Sequence, residues 1–227
     1  DKKLFKEIAS LRRKIALSNP LLDFDSLVFN CWESKNPMFH SAHMVFFAKP
    51  DSGAGLYLVS GFKGSEVKVT DMLEKAVVTN GRFKGKTLSN KNDEWQDLAV
   101  FNTPELSYDA KELMFAWAPQ AGNDNYKMKF NSYAKSRIFT MNLDGSNLRI
   151  LADHDSPYND YDPLYLPNGR LLFVSDRHNG GQRCGNTAVS GNMYTMKYDG
   201  SDLFRISWHE TNERSPVVDN DGMLTYS

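Results

Sequence analysis

Two hydrophobic rhythms divide the chain. Near the N-terminus Leu4, Ile8, Leu11, Ile15 and Ala16 recur at steps of three and four, with Lys and Arg between them. That spacing predicts an amphipathic helix over residues 1–18. Pro20 marks its end, because the residue before a proline is pushed out of the helical region. The helix is expected to pack as a cap on the main domain. From Leu21 onward, short runs rich in Val, Leu, Phe and Tyr alternate with clusters of Gly, Asn, Asp and Pro, which predicts strands. Examples are Leu27-Val28-Phe29, Leu56-Tyr57-Leu58-Val59, Leu113-Met114-Phe115-Ala116-Trp117 and Leu171-Leu172-Phe173-Val174. No second long helical pattern follows, so the fold class is all-β with an N-terminal helix.

An internal repeat sharpens that class. One copy runs Pro104-Glu-Leu-Ser-Tyr-Asp-Ala-Lys-Glu-Leu-Met-Phe and later Ile138-Phe-Thr-Met-Asn-Leu-Asp-Gly-Ser-Asn. The next runs Pro163-Leu-Tyr-Leu-Pro-Asn-Gly-Arg-Leu-Leu-Phe and later Met193-Tyr-Thr-Met-Lys-Tyr-Asp-Gly-Ser-Asp. A third opens at Pro216-Val-Val-Asp-Asn-Asp-Gly-Met-Leu-Thr-Tyr. Pro104 and Pro163 lie 59 residues apart, and Asp144 and Asp199 lie 55 apart. A period of this length, with about four short strands per copy, predicts a β-propeller of four-stranded blades. Asp144-Gly145-Ser146 and Asp199-Gly200-Ser201 are expected as turns between third and fourth strands. Gly64-Ser65 holds the same place in a divergent first copy.

The domain reading is a helix over 1–20 and a partial propeller over 21–227, with blades at 21–75, 98–152, 160–208 and an incomplete 213–227. The stretch 80–97, with Gly81, Gly85 and a charged tail, is expected to be an exposed connection. Propellers close with about four to eight blades, so about three and a half leave an incomplete ring. That count predicts a piece of a longer protein.

Composition removes whole classes of function. The 227 residues carry 27 Lys+Arg against 28 Asp+Glu, for a formal net charge of −1, which argues against nucleic-acid binding by bulk electrostatics. At 41% hydrophobic and 24% charged the chain reads as folded rather than disordered. No apolar run is long enough to span a bilayer, and no signal-peptide core follows Asp1. Cys31 and Cys184 are the two cysteines, which rules out a disulfide-stapled scaffold and a four-cysteine zinc site. Both are expected to be unpaired thiols.

The candidate chemistry clusters late in the chain. Cys184 lies in a Gly-rich insertion over 178–191, and His209-Glu210 follow the last strand of that blade. A thiolate, an imidazole and a carboxylate are reasonable Zn²⁺ ligands, set against a loop cysteine beside a hydrogen-bonded histidine. Arg177, Arg183 and Glu213, with Arg214, are candidates for a ligand-binding polar rim, or for salt bridges that lock neighbouring blades. The acidic stretch 153–162 offers oxygen ligands for Ca²⁺, but Asp160 and Asp162 are expected to cap turns. His40 and His43 lack the glutamate of a zinc-protease helix and read as loop histidines. Trp32, Trp95, Trp117 and Trp208 offer faces for stacking sugars or, more commonly, fill cores. No nucleophile elbow, Walker loop, Rossmann fingerprint or catalytic triad is present, so the chain reads as a non-enzyme.

The repeats resemble the WD40-like units of TolB-type propellers. A narrower resemblance rests on Asn159-Asp-Tyr-Asp-Pro-Leu-Tyr-Leu-Pro-Asn-Gly-Arg, Arg183-Cys184-Gly185, His209-Glu-Thr-Asn-Glu-Arg-Ser-Pro, Asn80-Gly-Arg-Phe-Lys-Gly and Leu21-Leu-Asp-Phe-Asp-Ser-Leu-Val-Phe. These strings, spread over most of the chain, are similar to the middle domain of hydrazine synthase alpha subunit-like proteins. The resemblance implies a propeller in a larger exported bacterial protein, periplasmic or in the cell envelope. It also implies that Cys184 lies near a metal-bearing region. No C-x-x-C-H motif occurs, so no covalent haem is expected in this chain. The expected role is a ligand- or partner-binding scaffold, its partners being other domains of the longer chain, another protein, a small molecule or a carbohydrate. The alternative is the propeller part of a metal- or haem-dependent oxidoreductase.

Overall fold

Side chains along a strand point alternately to opposite faces, and here both faces carry apolar residues. Such strands must be covered on both sides, so they stack sheet upon sheet. The computed structural model describes residues 1–31, 55–88, 100–118, 136–153, 158–181 and 190–227. Helix α1 (Lys2–Leu17) comes first, with the Asp1 carboxylate accepting from Lys3 N at 3.0 Å as its N-cap. A first sheet follows, of β1 (Ser26–Cys31), β2 (Gly55–Ser60) and β3 (Lys68–Asp71). The second holds β4 (Val100–Leu106), β5 (Glu112–Ala118), β6 (Arg137–Asn142) and β7 (Arg149–Ile150). The third holds β8 (Asp160–Tyr165), β9 (Arg170–Ser175), β10 (Asn192–Lys197) and β11 (Phe204–Arg205). The fourth is a hairpin of β12 (Val217–Val218) and β13 (Leu224–Thr225). Within each sheet the strands pair antiparallel with their neighbours in sequence, and among the described residues no sheet closes on itself.

The alternation sorts residues between successive interfaces. On β5, Leu113, Phe115 and Trp117 face the first sheet and meet Leu56, Phe139 and Met141. On its other face Met114 joins Tyr165, Leu171, Phe173 and Tyr194 of the third sheet. On β9, Leu171 and Phe173 face back to the second sheet, while Leu172 and Val174 face Val218 and Leu224 of the fourth. Full burial of each such side chain stabilises the fold by about 1.5–3 kcal/mol.

The expected Asp-Gly-Ser turns are present between the third and fourth strands of the middle sheets. Asp144 Oδ1 accepts from Ser146 N at 2.9 Å and Ser146 Oγ at 2.6 Å, and Asp199 does the same for Ser201 at 2.9 and 2.6 Å. These bonds hold both carboxyls below the ordinary range of an aspartate. Gly145 sits at φ +81° with no room for a side chain, since a Cβ would lie 2.6 Å from the Met72 carbonyl oxygen.

A second device recurs at the first strands of the second, third and fourth sheets. Thr103, Asp162 and Ser215, each directly before a proline, adopt φ of 45°, 48° and 47°. The ladder skips register at the first two, between Asn102 and Glu105 and between Tyr161 and Leu164. Asp162 Oδ2 accepts from Ser215 N at 2.9 Å, tying the third sheet to the start of the fourth. Burial raises the Asp162 carboxyl, while the Ser215 N–H, Arg214 and Thr103 pull the other way.

Two expectations change. In the stretch expected as an exposed connection, Arg82, Lys84 and Gly85 are exposed but two apolar side chains turn inward, and 89–97 lie outside the described residues. A 3₁₀ turn at Gly81–Phe83 drives Phe83 edge-on against Trp117 at 5.3 Å, and Leu88 is fully buried. Helix α1 is not buried as a cap: Leu4, Phe5, Ile8, Leu11 and Ile15 are all half exposed or more. The Arg13 guanidinium donates to the Phe62 carbonyl, so a polar contact links helix to sheet where an apolar one was expected.

Candidate functional site

Register brings three polar residues into one row. Asp160 on β8 and Asn192 on β10 both pair with Ser175 on β9, at the end where β8 begins. All three are buried. The loop leaving β9 and the connection leaving β11 arrive at this same end, because an antiparallel meander returns alternate connections to one side.

Arg177, in the loop after β9, turns back over the row. Its Nη2 lies 2.7 Å from Asp160 Oδ1, its Nε donates to Ser175 Oγ at 2.9 Å, and its guanidinium covers the Phe173 and Tyr194 rings at 5.1 and 5.0 Å. With side-chain exposures of 13% and 3%, Arg177 and Asp160 form a buried pair. Asp176 accepts from Asn159 N at 2.7 Å and Asn159 Nδ2 at 2.8 Å, and Asn159 Oδ1 in turn accepts from Ser136 N at 3.1 Å. That chain joins the loop to the second sheet. There Arg137 donates to the carbonyls of Ser136 and Tyr158 at 2.8 and 2.5 Å. Burial lowers its pKa, opposed by the Asp160 charge.

Glu213 anchors the other half of the site. The carboxylate is 2% exposed. Its Oε2 accepts from Met193 N at 3.0 Å and from the Ser207 hydroxyl. Its Oε1 has no hydrogen-bond partner among the described residues. His209 Nε2 stands 3.7 Å from that oxygen, on a side chain 58% exposed. Asn192 orders the same connection, donating from Nδ2 to the His209 carbonyl at 3.0 Å and accepting from Arg205 Nη2 at 2.8 Å. Gly191 N donates to Asn212 Oδ1 at 2.8 Å, and Gly191 O accepts from Glu213 N at 3.0 Å. The segment carrying Glu213 is therefore stitched to the start of β10 by its backbone.

His178 completes the arrangement. Its Nε2 lies 3.1 Å from Ser190 Oγ, which also reaches the Gly180 carbonyl at 3.3 Å. A hydroxyl has one proton. When Ser190 gives it to Gly180, His178 Nε2 is the donor and Nδ1 holds a lone pair. That Nδ1 is buried without a partner among the described residues. Burial holds the imidazole below its ordinary pKa, the Arg205 charge adds to this, and Glu213 opposes it. Trp208, 71% exposed with Arg205 over its ring at 5.8 Å, presents an open aromatic face beside His209.

The sequence-derived candidates separate into groups. Arg177 is engaged by Asp160, whereas Glu213 Oε1 has the His209 imidazole at 3.7 Å and no hydrogen-bond partner among the described residues. Glu210 is exposed. Arg183, Cys184, His40, His43, Trp32 and Trp95 lie outside the described residues. Trp117 is core, at 0% exposure. Among the described residues no three His, Cys, Asp or Glu side chains converge as metal ligands, and no helix is long and apolar enough to cross a membrane. Sequence reasoning missed His178, Asn192 and Ser207. The first stands next to Arg177 at the mouth of a Gly-rich loop, which is a legible signal. The other two are ordinary polar residues that only register brings together.

No family model matches the chain, and no curated protein does. Among solved structures, hydrazine synthase of Kuenenia stuttgartiensis is similar in fold, with a TM-score of 0.54 at 15% sequence identity. The likeness covers 89% of this chain and 27% of the hydrazine synthase chain. At that identity it speaks to fold.

Proposed function

We propose that the chain is part of a WD40-like, TolB-type β-propeller in a longer exported bacterial polypeptide, where it serves as a non-catalytic binding and scaffolding portion. Four sheets stacked in series with one strand order, and a pre-proline bulge recurring at the inner strands, support the propeller. The small share of the hydrazine synthase chain that is matched supports the longer polypeptide.

The ligand site in this reading lies around Glu213. One observation carries it: a buried carboxylate with one oxygen held by two donors and the other without a hydrogen-bond partner among the described residues, with only the exposed His209 imidazole near it at 3.7 Å. Leaving a polar atom buried and unpaired costs about 1–3 kcal/mol, which a ligand donor would recover. Trp208, next in sequence to Ser207, offers an exposed aromatic face, and His209 an exposed imidazole. Hydroxyl donors together with a stacking face describe a carbohydrate. Titration with a panel of soluble oligosaccharides, followed by Trp fluorescence, tests this. Saturable quenching that Trp208→Ala abolishes is the expected result, and no saturable response across the panel would overturn the carbohydrate site.

A second reading makes this end of the sheet part of a metal-dependent oxidoreductase, with Cys184, His209 and Glu210 around zinc or calcium. The approach of His209 Nε2 to Glu213 Oε1 favours it by setting two donor atoms side by side. Elemental analysis of the purified protein decides between the readings: stoichiometric metal that Cys184→Ala removes supports the second and displaces the first.

A further inference from the structure

Helix α1 meets the first sheet on its polar side. Leu4, Ile8, Leu11 and Ile15 lie four, three and four residues apart, so they form one stripe along the helix, with Phe5 beside it. Arg13 stands two residues from both Leu11 and Ile15, which places it about 200° around the axis from each. Its guanidinium donates to the Phe62 carbonyl, just past the end of β2. A helix held from that side turns its apolar stripe outward. The exposures agree: they run from 50% at Ile8 to 73% at Phe5, and no residue of α1 is buried.

Charge is divided unevenly between the helix and the rest of the chain. Six of the 27 Lys and Arg and two of the 28 Asp and Glu fall within residues 1–18, a net charge of +4 against −5 for 19–227. Around the axis, Lys3 and Lys14 border the stripe on one side and Arg12 on the other, while Lys2, Lys6 and Arg13 lie opposite it. Glu7 is the one acidic residue within the helix, and Asp1 is engaged as its N-cap.

We propose that α1 is a membrane-surface anchor that lies in the headgroup boundary of an anionic bilayer. Leu4, Phe5, Ile8, Leu11 and Ile15 enter among the acyl chains, and the flanking Lys and Arg side chains extend to the lipid phosphates. Sixteen residues make about 24 Å of helix, short of the about 30 Å hydrocarbon core, so α1 lies along the membrane rather than across it. An anionic lipid surface answers both features of the helix at once, with acyl chains for the stripe and a negative potential for the cations. A second copy of the chain answers neither well. A helix face about 24 Å long and 10 Å wide offers about 240 Å², against about 800 Å² per partner in a stable interface. Stripe against stripe would also set two cationic helices side by side.

Co-sedimentation of the full chain with lipid vesicles tests the anchor. Saturable binding is expected to phosphatidylcholine vesicles holding about one third phosphatidylglycerol, with about tenfold weaker binding to pure phosphatidylcholine. Raising salt from about 0.1 M to 1 M shortens the screening length from about 10 Å to 3 Å and should weaken the binding to anionic vesicles. Leu11→Ala should lower affinity for those vesicles about tenfold. Alanine is the better helix former, so that loss does not come from unwinding. Arg12→Gln should lower affinity about fivefold. No binding to the anionic vesicles, or binding that Leu11→Ala leaves unchanged, overturns the proposal. Two lipid-free measurements overturn it as well. A fall in the urea midpoint of Leu11→Ala would show the stripe covered within the chain. Self-association in sedimentation velocity that Leu11→Ala abolishes would make a second copy the occupant.

Discussion

The His209 imidazole stands 3.7 Å from a Glu213 oxygen, and the two side chains differ sharply in exposure, at 58% against 2%. One member of the pair is fixed by the fold and the other is open to solvent. The fixed member is structural as well as available, because its second oxygen holds Met193 N and the Ser207 hydroxyl in place.

Replacing Glu213 by Ala should therefore lower stability even though no ligand is present. Two buried donors lose an acceptor, at a cost of about 2 kcal/mol. Glu213→Gln keeps one oxygen for Met193 N–H and should cost about 1 kcal/mol. Urea unfolding with a constant m-value measures both.

The buried pair of Arg177 and Asp160 should behave asymmetrically. Arg177→Met leaves the Asp160 carboxylate buried without its cation, a loss of about 3–5 kcal/mol. Adding Asp160→Asn removes the stranded charge and should recover about half of that loss. A double-mutant cycle by denaturant unfolding reads the coupling.

His178 should make the fold acid-sensitive. Its pKa is held below the ordinary 6.5 of an imidazole, chiefly by burial, so the folded state binds fewer protons than the unfolded one as pH falls. This contribution to stability is full above about pH 6.5 and is lost as pH falls from there through the lower folded value. In His178→Gln the dependence of unfolding free energy on pH below that point should flatten. NMR titration of the His178 ring gives the folded pKa directly, and an unshifted or raised value would contradict the expectation.

Ala110 occupies a turn position that is glycine in the next two repeats. It sits at φ 54°, where Gly169 and Gly222 sit at 78° and 80°. A Cβ in the left-handed region is strained, and glycine relieves that strain at some cost in chain entropy. Ala110→Gly should raise stability by up to about 1 kcal/mol, seen as a higher Tm.

Much of the strand pattern was readable along the chain. Leu171 to Val174 form a continuous apolar run because β9 is covered on both faces, and Asp144 and Asp199 carry their turns in local hydrogen bonds. Local chemistry of this kind survives in one dimension. The candidate site was readable only in part. Glu213 and His209 stand four residues apart and meet, but Asn192 reaches them only through its pairing with Ser175 and its bond to the His209 carbonyl. Nor did charge pattern show that Arg177 would be spent on Asp160.

The sequence by itself determined the strands, the turns and the repeat, since these depend on side-chain alternation and on bonds between residues a few positions apart. It also led to a helix, and α1 formed where its period placed it. Only the tertiary structure decided what each element touches. It left the apolar stripe of α1 exposed, packed Phe83 against the core, buried Leu88 in it, and set one Glu213 oxygen without a hydrogen-bond partner among the described residues. Those outcomes depend on which surfaces compete for the same space, and that competition has no counterpart in the linear order of residues.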